Sequence, residues 1–176
     1  LVTTFALVDT LWEEREVTLS EINGLEMVNQ IADVVVRTQT HRGQTNSLLS
    51  GNSAMETARA DTRVQLKSAV DLLNHHVAEH PELHLTNDWN TLRQSLTELV
   101  NSNPTAAERA QVLAKHTEVV DGLRRLMSLA GETSSLLLDP VANTYFLMDI
   151  VVERVVGLTE TTGLMPGHGP TGDRVV

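Results

Sequence analysis

The stretch VNQIADVVVRTQTHRGQTNSLLSGN, residues 28–52, decides how this chain folds. Val28, Ile31, Val35, Thr38, Arg42, Thr45 and Leu49 recur at alternating spacings of three and four. That rhythm places side chains on one face of a packed helix. Part-way along, the face turns polar. Arg42 stands where a bundle wants an aliphatic side chain, with Thr38 and Thr45 one turn to either side. A buried guanidinium without a partner costs too much to persist. The seam therefore predicts that Arg42 meets a carboxylate, a cluster of carbonyls, water or a bound anion. Gly51-Asn52 then closes the helix, because such a pair adopts left-handed backbone angles at low cost.

Working outward, the same periodicity marks further helices, separated by recognisable punctuation. The first spans about residues 8–50 and at 1.5 Å per residue reaches roughly 60 Å, far longer than a compact domain uses. The second covers 53–79, with Met55, Thr62, Leu66, Ala69, Leu73 and His76 on one seam. Pro81 interrupts it, and Thr86 or Asn87 caps a resumption over 87–101 through Trp89, Leu92, Leu96 and Leu99. The third, 105–138, is announced by Pro104-Thr105 and carries Leu113, His116, Val120, Leu123, Met127, Ala130, Ser134 and Leu137. Asp139-Pro140 reads as an N-cap followed by proline at the first helical position. It opens a fourth helix over 140–162 with Val141, Tyr145, Met148, Val152 and Val155 inward. Glycines and prolines make 164–176 an irregular tail. The expected fold is all-α: an elongated antiparallel up-and-down four-helix bundle over residues 1–163, its second helix interrupted near Pro81.

Composition narrows the function. The chain has 176 residues, enough for one domain with a sizeable core. Aromatic residues are only 3%, so Leu, Val, Ala and Met must fill that core, which suits helix-on-helix packing. Net charge is −10, and Lys67 and Lys115 are the only lysines. A nucleic-acid partner is not expected, since no basic face is available to displace counterions. With no cysteine there are no zinc-thiolate sites, disulfides or thiol nucleophiles. No nucleophile elbow, phosphate-binding glycine loop or HExxH string occurs, so an enzyme is not expected and no cofactor is implied. His76, His80 and His84 recur every fourth residue, as metal ligands on a helix would. Pro81 breaks that helix before His84, leaving two aligned ligands and no expected metal site.

Two strings resemble a sensor family. Gln39-x-His41-Arg42-Gly43 followed by Leu49-Ser50-Gly51-Asn52 is similar to the QxHRG…LxGN signature of helical sensory regions in bacterial methyl-accepting chemotaxis proteins and related transmembrane receptors. Leu138-Asp139-Pro140, four residues, then Tyr145-Phe146-Leu147-Met148-Asp149 is similar to the LDPxxxSYYLMD string of the same proteins, with Thr144-Tyr145-Phe146 in place of Ser-Tyr-Tyr. The first string also resembles, more loosely, the QxERG of nitrate- and nitrite-sensing domains, with His41 at the acidic position. The resemblance covers about residues 20–163. It implies a periplasmic, ligand-sensing module between two transmembrane helices, working as a homodimer and passing a helix displacement to a cytoplasmic output. No run in this chain reaches the roughly 18 apolar residues of a span, and it begins Leu1-Val2-Thr3 without an initiator Met, as a chain cut just after a membrane helix would.

The candidate ligand site is Arg42 with His41, Thr38 and Thr45, joined by Tyr145 and Asp149 from the fourth helix. In one reading Arg42 pairs with an anionic small molecule, Thr38 and Thr45 donate hydroxyls, and Gly43 permits close approach. In the other Arg42 completes a structural network with Asp139 or Asp149, Tyr145 is a core aromatic, and Gly43 lets helices pack. His116 is expected to be a core residue, sharing a network with His76 or responding to pH. The first helix is too long for one bundle layer to cover, so Leu11, Trp12, Leu19 and Ile22 are expected at a dimer interface or against further helices of a longer protein. The alternative to a receptor is a structural or protein-interaction bundle without a ligand.

Overall fold

The computed structural model describes residues 2–134 and Leu136; before Thr18, only the side chains of Trp12 and Arg15 are described. The expected fourth helix, the Asp139-Pro140 break, Tyr145, Asp149 and the tail lie outside the described residues. Within them the protein is all-helical. Helix α1 spans Val2–Leu49, α2 Met55–Glu79, α3 Thr86–Asn101 and α4 Arg109–Thr133. Single 3₁₀ turns at Pro81–Leu83 and Ala106–Glu108 precede α3 and α4. None of these helices is long and apolar enough to cross a membrane.

Helix α1 has 48 residues and is about 72 Å long. It stops at a glycine: Gly51 has φ +100°, its N–H bonds to the Leu48 carbonyl at 3.0 Å, and the Asn52 N–H reaches Ser47 at 3.1 Å. These two bonds satisfy carbonyls that the helix end would leave exposed. A reciprocal cap starts the last helix, where Glu108 accepts hydrogen bonds from the Thr105 backbone N–H at 2.8 Å and hydroxyl at 2.9 Å. At α3 the expected side-chain cap is absent: Leu85 holds the N-cap position. Helix α4 ends at Thr133, short of the expected 138, with the Ser134 hydroxyl turned onto the Ala130 carbonyl at 2.7 Å.

Beyond Pro81 a helix resumes at Thr86–Asn101. Left-handed backbone at His84 (φ 55°) turns the chain, and α3 packs against α2 instead of prolonging it. The indole Nε1 of the buried Trp89 donates to Asn74 at 3.1 Å, and Arg59 donates to the Ser102 carbonyl at 3.1 Å. Helix α1 contacts α2 and α4, and α3 contacts the same two. Met27, Ile31 and Val34 of α1, Leu66 and Leu73 of α2, Leu96 of α3, and Val120, Leu123 and Met127 of α4 meet in one aliphatic core.

Two glycines in α1 have opposite surroundings. A Cβ on Gly24 would run into the Ser134 side chain and lie 3.1 Å from Leu136 Cδ1, so the end of α4 rests on bare backbone there. A Cβ on Gly43 would meet nothing within 4 Å. Neither close helix packing nor close approach explains Gly43. Gly24→Ala should therefore destabilise by about 1–3 kcal/mol through overpacking. Gly43→Ala should stabilise by about 0.5–1 kcal/mol, because it removes backbone freedom from an open helical site. Urea denaturation of both variants checks the pair, and the opposite order would contradict this packing.

Candidate functional site

The aliphatic core of α1 is interrupted by a polar layer. Thr38, His41, Arg42 and Thr45 are all buried, and α2 adds Arg59 and Thr62 while α4 adds His116. The seam from Val28 to Leu49 puts Thr38, Arg42 and Thr45 inside, and His41 lies on the adjoining stripe with Val34. Both imidazoles have no exposed surface.

Their protonation is set by their partners. His116 Nδ1 lies 2.7 Å from the Val112 carbonyl oxygen, which can only accept, so Nδ1 carries a hydrogen. The neutral ring then has a lone pair on Nε2, 2.9 Å from His41 Nδ1. His41 Nδ1 must donate across that contact, and its own Nε2 is left as an acceptor. That buried Nε2 has no hydrogen-bond partner among the described residues. Neutrality is imposed by the surroundings. Burial, then the neighbouring His116, Arg59 and Arg63, push His41 down to about 3. Burial also pushes His116 down to about 4 against the opposing pull of the Val112 carbonyl, and Arg42 and Arg59 lower it further.

The hydroxyls do not all point into a pocket, as the seam implied. Thr38 donates to the Val34 carbonyl of its own helix at 2.7 Å. Thr45 accepts from Arg59 Nε at 3.0 Å. Thr117 donates back to Leu113 at 3.1 Å while accepting from Arg42 Nη1 at 3.5 Å. Thr45 and Thr117 thus present oxygen lone pairs to guanidiniums. Arg59 makes its other contact with the Ser102 carbonyl, so its bonded partners are neutral, and burial with the nearby Arg63 lowers its pKa. Beside it Arg63 donates to Asn103 at 3.1 Å. Among the described residues the layer therefore places guanidiniums beside two neutral imidazoles, a field suited to an oxyanion.

The structure brings His41, Arg42 and Thr45 together with Arg59, His116 and Thr117. Tyr145 and Asp149, and the alternative Arg42 partner Asp139, fall outside the described residues. His116 shares its network with His41, not with His76. Sequence reasoning misses Arg59 and Thr117. Arg59 has a signal, since it sits four residues after Met55 and three before Thr62 on the α2 seam. The histidines near Pro81 make a separate group: the rings of His76 and His80 lie 4.6 Å apart, and His80 Nδ1 donates to Glu82 at 2.9 Å. Among the described residues no three His, Asp or Glu side chains are placed to hold a metal ion. An open cleft of about 530 Å³ between α3 and α4 runs over Leu92, Leu99, Val112 and Val119 and is rimmed by Glu98, Lys115 and Arg125.

Comparison with protein families, with curated proteins and with solved structures finds no match.

The two imidazoles couple folding to pH. Their folded pKa values are depressed, so the unfolded chain, titrating near 6.5, binds protons that the folded layer refuses. Their contribution is complete above pH 6.5 and is lost as pH falls toward 4 and then 3. Each imidazole should weaken folding by about 1.4 kcal/mol per pH unit in that window. Urea denaturation at pH 7.5, 6 and 5 measures this, and a flat profile would mean that the folded pair accepts protons.

Proposed function

We propose that this chain is the ligand-sensing, periplasmic part of a transmembrane signalling receptor of the chemoreceptor or sensor-kinase type. The observation that carries the reading is the buried layer of His41, Arg42 and Arg59, a neutral imidazole among guanidiniums, in an otherwise aliphatic helical core. A purely structural bundle gains register but little stability from two imidazoles and two guanidiniums at its centre, because apolar side chains of similar volume often pack at least as well. The layer coincides with the QxHRG string, on which the resemblance to the sensor family rests. No catalytic role is proposed.

The arrangement that suits this task is an elongated antiparallel up-and-down bundle. Support comes from how partners pair along α1: Asn46 with Arg109, His41 with His116 and Gly24 with Ser134, and likewise Thr45 with Arg59 and Arg37 with Gln65. In this arrangement α3 takes the fourth position beside the polar layer. A small molecule that binds the layer then biases the sliding or rotation of α1 against α2 and α4, and α1 carries the displacement toward flanking membrane helices and a cytoplasmic output. Coupling of this kind needs about 1–3 kcal/mol of differential binding.

Trp12, Leu19 and Ile22 on the amino-terminal half of α1 are each about half exposed, at 55, 44 and 54%. Their spacing of seven and three keeps to one helix face, and that face is proposed as the homodimer contact. The same exposure favours the second reading, an interaction bundle without a small ligand.

A thermal-shift screen of inorganic anions, small carboxylates and amino acids separates the two readings. A ligand at 100 times its Kd should add about 2.7 kcal/mol of stability. Arg42→Met should abolish that gain and leave the ligand-free domain as stable or more stable. If Arg42 is instead structural, the same substitution strands its partner and costs about 3–5 kcal/mol without ligand. That loss, or a screen in which nothing stabilises the wild-type chain, would overturn the sensing reading.

A further inference from the structure

A sensing role leaves the ligand's chemistry open, and the histidine pair restricts it. The Val112 carbonyl accepts from His116 Nδ1, and His116 Nε2 accepts from His41 Nδ1. This relay runs in one direction only, since a carbonyl oxygen has no hydrogen to give. It ends at His41 Nε2 as a lone pair, fully buried and without a partner among the described residues. A buried acceptor left unmade is unfavourable, and two cations of α2, Arg59 and Arg63, act on its ring, while Arg42 of α1 acts on His116 beside it. The charged and titratable groups acting on the imidazole from α2 and α4 are Arg59, Arg63 and His116.

Building on the sensing reading, we propose that the site takes a small oxyanion that carries its own O–H, such as hydrogenphosphate or a 2-hydroxycarboxylate, with that hydroxyl donating to His41 Nε2. The cationic layer holds the anion's charge, and the imidazole reads the hydrogen. An oxyanion of the same size and charge with no hydrogen sets oxygen against the nitrogen lone pair. It is rejected by the repulsion and by the acceptor left buried and unpaired. Sites built to hydrogen-bond a hydroxyl discriminate strongly against analogues that lack it.

Hydrogenphosphate and sulfate at pH 8 make the comparison, because both are dianions of similar size and only the first has an O–H. Lactate and propionate repeat it for the organic source. Titration calorimetry on the whole chain should show phosphate or lactate binding at least about tenfold tighter than its hydrogen-free counterpart. His41→Gln places an amide N–H near the former lone pair and should erase or invert that preference. Should this variant not fold, nitrogen-15 NMR of the wild-type chain decides. His41 Nε2 should resonate as an unprotonated nitrogen when free and shift on adding phosphate but not sulfate. Equal binding within each pair would overturn the donor requirement and leave the sensing reading standing. Absence of binding by all four anions would overturn this ligand class, and the sensing reading falls with it only if the wider screen also finds no stabilising molecule.

Discussion

The described helices are held in register by one hydrogen bond above all, His41 Nδ1 to His116 Nε2, 2.9 Å long and buried. It ties α1 to α4 at a single register. Aliphatic seams tolerate sliding, because one leucine substitutes for another a turn away. A relay from Val112 through His116 to His41 does not, since a shift of one turn would strand two imidazoles in a medium where unmet polar groups are strongly unfavourable. Arg59 does the same between α2 and α1 through Thr45, and reaches the α3–α4 connection through the Ser102 carbonyl. The polar layer is thus a clasp across the bundle.

Among the described residues the clasp joins guanidiniums to neutral acceptors. Arg59 rests on neutral oxygens, and the nearby Arg63 is bonded to Asn103. Burial, reinforced by the field of these arginines, holds the histidines neutral, so folding and protonation are set by one group of side chains. Helix α1 is the common wall of this arrangement, running well beyond the layer into a half with exposed Trp12, Leu19 and Ile22. A change at the clasp and a contact on that outer half are joined by one continuous stretch of helix.

Much of this is legible in residues 28–52. The alternation of threes and fours requires a long packed helix, and Arg42 with its flanking threonines requires a polar interruption inside it, since the period of a helix fixes which side chains share a face. Gly51-Asn52 ends that helix as its backbone freedom allows. The capping pair Thr105 and Glu108 is equally local. These features depend on neighbours within a turn or two of one another, so residue order alone specifies them.

The remainder depends on which helices meet, and chain order is silent about that. His41 and His116 are 75 positions apart, and no periodicity says that two buried histidines from different helices share a hydrogen bond or which nitrogen carries the hydrogen. Pro81 announces a break but not its direction; the left-handed residue His84 and the packing of Trp89 on Asn74 turn the resumed helix against α2. Gly43 and Gly24 read alike in sequence, yet one faces open space and the other the end of α4. Threonine hydroxyls, free to turn, are claimed by guanidiniums and by their own helix carbonyls. Periodicity determines which face a side chain occupies, while the partner on the other side of that face is set by chain reversals and by the packing of distant segments.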